Sequence, residues 1–172
     1  MPNKSKAPSR GEPSVEPIHA DLSLALGERG LLLAALDAVQ SLDQQTIASL
    51  ETPSPSLRPQ MLLTLVTYCY ATSLYGSRDI ESASAADGTV RYICARTRPS
   101  WASIRSFRRR NRDAIHACLT QVLKQSWATK LDRGEVEYLG YDWFEDQMSP
   151  RFSEAAEQRI QTATLFDSTA NE

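Results

Sequence analysis

Apolar residues recur at i, i+3 and i+4 through the middle of the chain, the period of amphipathic helices. The clearest stripe is Met61, Leu62, Leu65, Val66, Cys69 and Tyr70. Pro59 suits the first turn of that helix, and Gly76 is the residue expected to end it. Ser77 is the expected N-cap of a helix from Arg78 to about Ala86. Asp87 is placed to cap a short helix over Val90–Cys94, and Ser100 to cap a long one from Trp101 to about Trp127. Upstream, Leu31, Leu32, Ala35, Leu36 and Val39 predict one or two helices within 21–50. Glu51–Ser56, with Pro53 and Pro55, reads as a linker. Beyond Lys130 the pattern weakens to a short extended piece near 135–139 and a last helix over 153–160 capped by Ser153.

These elements predict an all-α fold: a small helical bundle with a helix-turn-helix-like pair and disordered or loosely packed termini. The division is a disordered tail at 1–20, a helical segment and Pro/Ser linker at 21–55, the principal helical domain at 56–130, and an acidic, weakly structured tail at 131–172.

Composition adds limits. Hydrophobic residues are 41% and charged residues 23% of the 172, ordinary values for a chain with a packed core. Cys69, Cys94 and Cys118 lie in apolar or helical contexts. With His19 and His116 they give no zinc-ligand spacing, so buried thiols in a reducing cytoplasm are expected, with no metal and no cofactor. The longest apolar stretch, Gly30 to Leu36, is too short to span a bilayer, and no apolar segment follows the basic start to make a signal peptide. A nucleophile–base pair and a glycine-rich phosphate loop are both missing, so no catalytic residue is assigned and the chain is not expected to be an enzyme.

Charge is distributed unevenly. The net charge is −2, yet 56–130 holds 12 basic and 4 acidic residues, while 131–172 holds 3 basic and 10 acidic. A basic middle followed by an acidic end suggests a polyanion-binding surface shielded by its own tail. Within the middle, Arg105, Arg108, Arg109 and Arg112 fall within about 100° of arc on one helical face, and the apolar positions from Trp101 to Val122 centre about 110° away. Like charges at i, i+4 repel. A phosphate backbone would offset that cost through counterion release, and arginine can also fork onto phosphate or guanine. Arg78, Arg91, Arg96 and Arg98 are weaker DNA-binding candidates near helix ends. A solvated face, or pairing with the acidic tail, explains such a stripe equally well. Tyr68, Tyr70 and Tyr75 at helical spacing fit a core better than a base-stacking role.

Four pieces of this region resemble the N-terminal domain of InsH-like DDE insertion-sequence transposases, in the family's order and near its spacing. Leu57–Thr72 is similar to its R-P-x-x-[LM]-L-x-x-L-x-Y-x-Y opening and Ser77–Glu81 to its S-R-x-I-E stretch. Val90–Ile93 is similar to [FV]-R-Y-[LI], and Ser103–Asn111 to T-I-x-x-F-R-x-x-[HN]. The resemblance covers roughly 56–127. It implies an all-helical domain that contacts transposon ends, followed in the family by a ribonuclease-H-like domain whose three carboxylates hold two metal ions. Asp142 is not followed by the family's Gly-Ser/Thr, so no catalytic residue carries over, and Asp142, Glu145 and Asp146 read as an acidic surface patch. Asn111 stands where the family often has His, and Arg98–Trp101 replaces a more polar turn.

The expectation is therefore a cytoplasmic DNA-binding fragment derived from a transposase, truncated before the catalytic domain. Its expected partners are double-stranded DNA, with transposon ends as one candidate, and a second copy or a full-length transposase. The alternative is a helical protein-interaction module, such as a homodimer, that binds no DNA and keeps its acidic tail docked on the arginine face.

Overall fold

The computed structural model describes residues 20–137 and 139–169. The tail expected at 1–20 lies almost wholly outside these residues. All regular structure among them is helical. In chain order the helices are α1 (Ser23–Leu26), α2 (Glu28–Gln40), α3 (Gln44–Ser49), α4 (Pro59–Ala71), α5 (Ser77–Ala86), α6 (Gly88–Ile93), α7 (Trp101–Arg110), α8 (Arg112–Asp132), α9 (Tyr141–Trp143) and α10 (Ser149–Thr169). A π-helical turn, Phe144–Met148, carries α9 straight into α10.

α4 is the axis of the bundle. Pro59 stands in its first turn, and every residue from Leu62 to Ala71 is buried. A helix that is apolar all round must be covered on every side. Here α2, α8, α6, α7 and α10 all pack against it. Several predicted caps form. Asp87 accepts from the Val90 N–H at 2.9 Å and Ser100 from the Ser103 N–H at 3.2 Å. Asp43 caps α3, accepting from the backbone N–H and the hydroxyl of Thr46, and these bonds hold its carboxyl below the usual carboxylate range.

Several expectations need correction. The helix expected over Trp101–Trp127 is two helices, divided at Asn111. That side chain is buried and is tied to the linker, accepting from the Glu51 N–H and donating to the Glu51 carbonyl, both at 2.8 Å. It also donates to the Phe107 carbonyl, so one amide ends α7 and fixes the 51–56 segment. Second, α4 ends at Ala71, and the left-handed residue after it is Ser73, at φ 64°, with Gly76 five residues on at an ordinary φ of −68°. Third, Gly76 and not Ser77 is the N-cap of α5, and no strand occurs among the described residues of 135–139.

The fourth correction concerns 131–172. This stretch is not a weakly structured tail: α10 runs 21 residues and packs on α8, α4 and the π turn. Phe152, Ala155, Ala156, Ile160 and Ala163 join the same core as Leu31, Leu65 and Leu119. Phe144, Phe152 and Trp127 form an aromatic cluster with ring centroids 5.1–6.4 Å apart. Segment 21–55 contributes equally, through Leu22, Leu31, Ala34, Ala35, Ala38 and Val39.

At the centre of this packing lies a charge. Arg159 of α10 is 1% exposed. It donates to the carbonyls of Tyr70 at 2.6 Å and Ala71 at 3.3 Å, and to that of Ala20 at 2.6 Å. Tyr70 and Ala71 are the last residues of α4, whose terminal carbonyls have no partner within the helix and carry its negative dipole end. The guanidinium therefore serves as the C-terminal cap of α4. The three cysteines are buried, and burial raises their thiols, Cys94 to about 11 and Cys118 to about 12. All three stay neutral core groups.

Arg159→Ala is expected to lower unfolding free energy by about 3 kcal/mol, because it removes three charge-assisted hydrogen bonds and leaves the Tyr70 and Ala71 carbonyls with only the Ser73 and Leu22 N–H groups. Urea denaturation followed by circular dichroism measures this. A loss below about 1 kcal/mol would show that the cap contributes little.

Candidate functional site

The predicted arginine face on α7 and the start of α8 is largely used up inside the molecule. Arg108 is 7% exposed, and its Nη2 lies 2.6 Å from Oδ2 of Asp167, near the end of α10. The same carboxylate accepts from the Ser77 backbone N–H at 2.9 Å and from the Ser77 hydroxyl at 2.6 Å. It thus sits at the N-terminus of α5, where the helix dipole also favours an anion. Arg108 further donates to the Tyr70 hydroxyl at 3.5 Å. Arg112 pairs with Glu157 of α10. Arg105 is half-buried, and Arg110, on another side of α7, pairs with Glu51 at 3.3 Å. Arg109 is exposed and makes no hydrogen bond or ion pair among the described residues. Of the weaker candidates, Arg78 lies over the Trp101 ring, its Cζ 4.8 Å from the centroid.

Burial of the Arg108–Asp167 pair decides how that face behaves. A guanidinium held by a desolvated carboxylate cannot turn to an outside phosphate without stranding its partner, which costs about 3–5 kcal/mol. Arg108 is therefore a structural residue. Arg112 and Glu157 are partly exposed, and their pair is weaker.

The other three weaker candidates meet beside α2, the first turns of α4 and the end of α6. Arg91, Arg96 and Arg98 line one groove of about 1040 Å³, together with Arg58, which the sequence reading did not single out. α2 supplies Leu32, Leu36 and Val39, α4 supplies Met61 and Thr64, and Tyr92 and Ile93 come from α6. Gln40 and Gln60 add side-chain amides. No aspartate or glutamate lines the groove. All four arginines are exposed, and none of their guanidiniums makes a hydrogen bond or ion pair among the described residues. Tyr68, Tyr70 and Tyr75 are buried, whereas Tyr92 is 71% exposed at the groove.

The local chain explains how the cations converge. Arg58 is the N-cap of α4 with extended backbone, φ −75° and ψ 128°, because Pro59 confines the residue before it. At the other wall α6 stops at Ile93, and Ala95 and Arg96 both take left-handed backbone, at φ 46° and 71°. Two successive non-glycine residues there cost about 1–2 kcal/mol each. The Thr97 N–H and hydroxyl both donate to the Cys94 carbonyl, at 2.8 and 2.5 Å, and hold the turn closed. The signals for Arg58 and Tyr92 lay in the sequence as Arg-Pro at a helix start and a tyrosine between Arg91 and the turn, but neither stands out without the fold.

Asp142, Glu145 and Asp146 are exposed, and no group of three His, Cys, Asp or Glu among the described residues is arranged to hold a metal ion. No described helix is long and apolar enough to cross a membrane. No family model, curated protein or solved structure matches the chain.

Arg108→Leu is expected to destabilise the fold by about 3 kcal/mol by removing the guanidinium that lies 2.6 Å from the buried Asp167 carboxylate. The double variant Arg108→Leu with Asp167→Leu is expected to recover part of that loss. Equal destabilisation by the single and double variants in thermal melts would show that the pair is not coupled.

Proposed function

We propose that the protein is a nucleic-acid-binding helical module, a binder and not a catalyst, and that its contact surface is the groove bordered by Arg58, Arg91, Arg96 and Arg98. One observation carries this reading: four exposed guanidiniums without partners among the described residues surround one concavity that has no carboxylate in its lining. Gathering like charges without a counter-ion is unfavourable, and a phosphate chain offsets it by releasing condensed cations. Arginine, with its planar fork, is the residue suited to phosphate oxygens. The resemblance to the DNA-contacting front end of InsH-like transposases agrees with this reading, with the contacts moved from the α7 stripe to the turn between α6 and α7. A chain of that kind would occupy nucleic-acid sites, transposon ends among them, and compete with a full transposase for them.

A second reading is favoured by the docking of α10. Asp167 and Glu157 hold Arg108 and Arg112, the arrangement foreseen for a helical interaction module that binds no DNA. Deleting 131–172 cannot separate the two readings, because α10 is part of the core. Point substitutions can.

The test is titration of a fluorescently labelled nucleic acid, offered both as duplex and as single strand, at about 50 and about 200 mM salt. Binding that weakens with salt, falls at least tenfold in the triple variant Arg58→Glu, Arg91→Glu, Arg98→Glu, and changes less than threefold in Arg109→Glu is the expected result. Absence of binding to both forms at low salt, or indifference to the triple variant, removes this reading. A concentration-dependent dimer in sedimentation under those conditions would favour the interaction module.

A further inference from the structure

We propose that the groove accepts one or two unpaired nucleotides, so that the nucleic acid recognised is single-stranded or locally opened and not an intact duplex. This rests on the nucleic-acid reading above and narrows it.

Shape is the first argument. The four arginines border a concavity of about 1040 Å³ and do not stand on a projecting helix. That volume is at the upper end of small-ligand sites, about 300–1,000 Å³, and suits one or two nucleotides. A duplex is a stiff convex rod read by elements that protrude into its grooves. Its phosphates can touch the rim of a cavity but cannot enter it.

The lining is the second argument. A duplex hides its base faces in the stack, whereas an unpaired base exposes them. The lining includes the half-buried Leu36 and Met61, apolar surface against which a base face loses little. Tyr92 adds an aromatic ring that is 71% exposed, while Tyr68, Tyr70 and Tyr75 are each 5% exposed or less. Exposed aromatic rings beside arginines are the stacking platforms of single-strand binders, because every base has a π-face. The Gln60 amide offers both a donor and an acceptor for a base edge.

The third argument is the turn that carries Arg96. Consecutive left-handed residues at Ala95 and Arg96 are costly, and such strain concentrates where a side chain must be held at a site. It places Arg96 and Arg98 on the groove beside Tyr92, so phosphate contacts and a stacking face lie together.

The experiment compares a labelled single strand of about 15 nucleotides with its duplex by fluorescence anisotropy, using the full chain. The single strand is expected to bind at least tenfold more tightly. With up to three phosphates neutralised, as two nucleotides in a strand would bring, its affinity is expected to fall by about 20-fold between about 50 and about 200 mM salt. Tyr92→Ala should weaken single-strand binding by about tenfold, and Tyr92→Phe, which keeps the ring, should not. Because Tyr92 is exposed, both variants should melt like the parent chain. An RNA strand of the same sequence runs alongside as a second probe, and preferential binding of either strand type over duplex supports the inference. Duplex binding as tight as single-strand binding, or an unaffected Tyr92→Ala, overturns it while leaving the broader nucleic-acid reading intact. Failure of all three probes to bind at low salt overturns both.

Discussion

The contact between Arg108 and Asp167 governs what this molecule can offer to a partner. A carboxylate on α10 neutralises a guanidinium on α7 at 2.6 Å, both nearly dry, and the same carboxylate gathers the first N–H of α5. Three helices distant in sequence are thereby joined at one point. Neither charge is cheap to bury alone, and together, with Ser77 and Tyr70 adding hydrogen bonds, they are tolerable. The pair does little to raise stability over an apolar equivalent, but it rules out any arrangement in which α10 lifts from the bundle without stranding two charges.

From that constraint the distribution of positive charge follows. Beside α10, Arg108 is turned inward and Arg112 is paired with an acid of α10, with Arg109 left open, whereas all four arginines around the α6–α7 turn stay open to solvent. Net charge therefore conceals two different populations. Their division is set by which helix covers which flank of α4, and α4, apolar on every side, requires cover on all of them.

The sequence carried the helical class, the α4 stripe and the caps at Asp87 and Ser100 plainly, because each depends on neighbours a few residues apart. It carried the α7–α8 division poorly, since the break comes from Asn111 bonding to Glu51, 60 residues away. α10 was legible only in part, and for a physical reason. Its buried stripe of Phe152, Ala155, Ala156, Ile160 and Ala163 is interrupted at its inner positions by Arg159 and Asp167, which look like surface residues until their partners are known. The same feature obscured the groove. Arginines on the exposed side and on the covered side have the same local sequence character, and tertiary context alone separates them.

The cap that Arg159 places on α4 has a bearing on how the chain comes to be folded. Its guanidinium and the Tyr70 carbonyl it meets are separated by 89 residues. During synthesis α4 emerges well before α10 and waits, with the flank that α10 covers still exposed, until α10 has cleared the ribosome. An intermediate of this kind exposes sticky surface for as long as that interval lasts. Consolidation of the bundle therefore waits on the synthesis of α10, whichever of the other helices has formed by then.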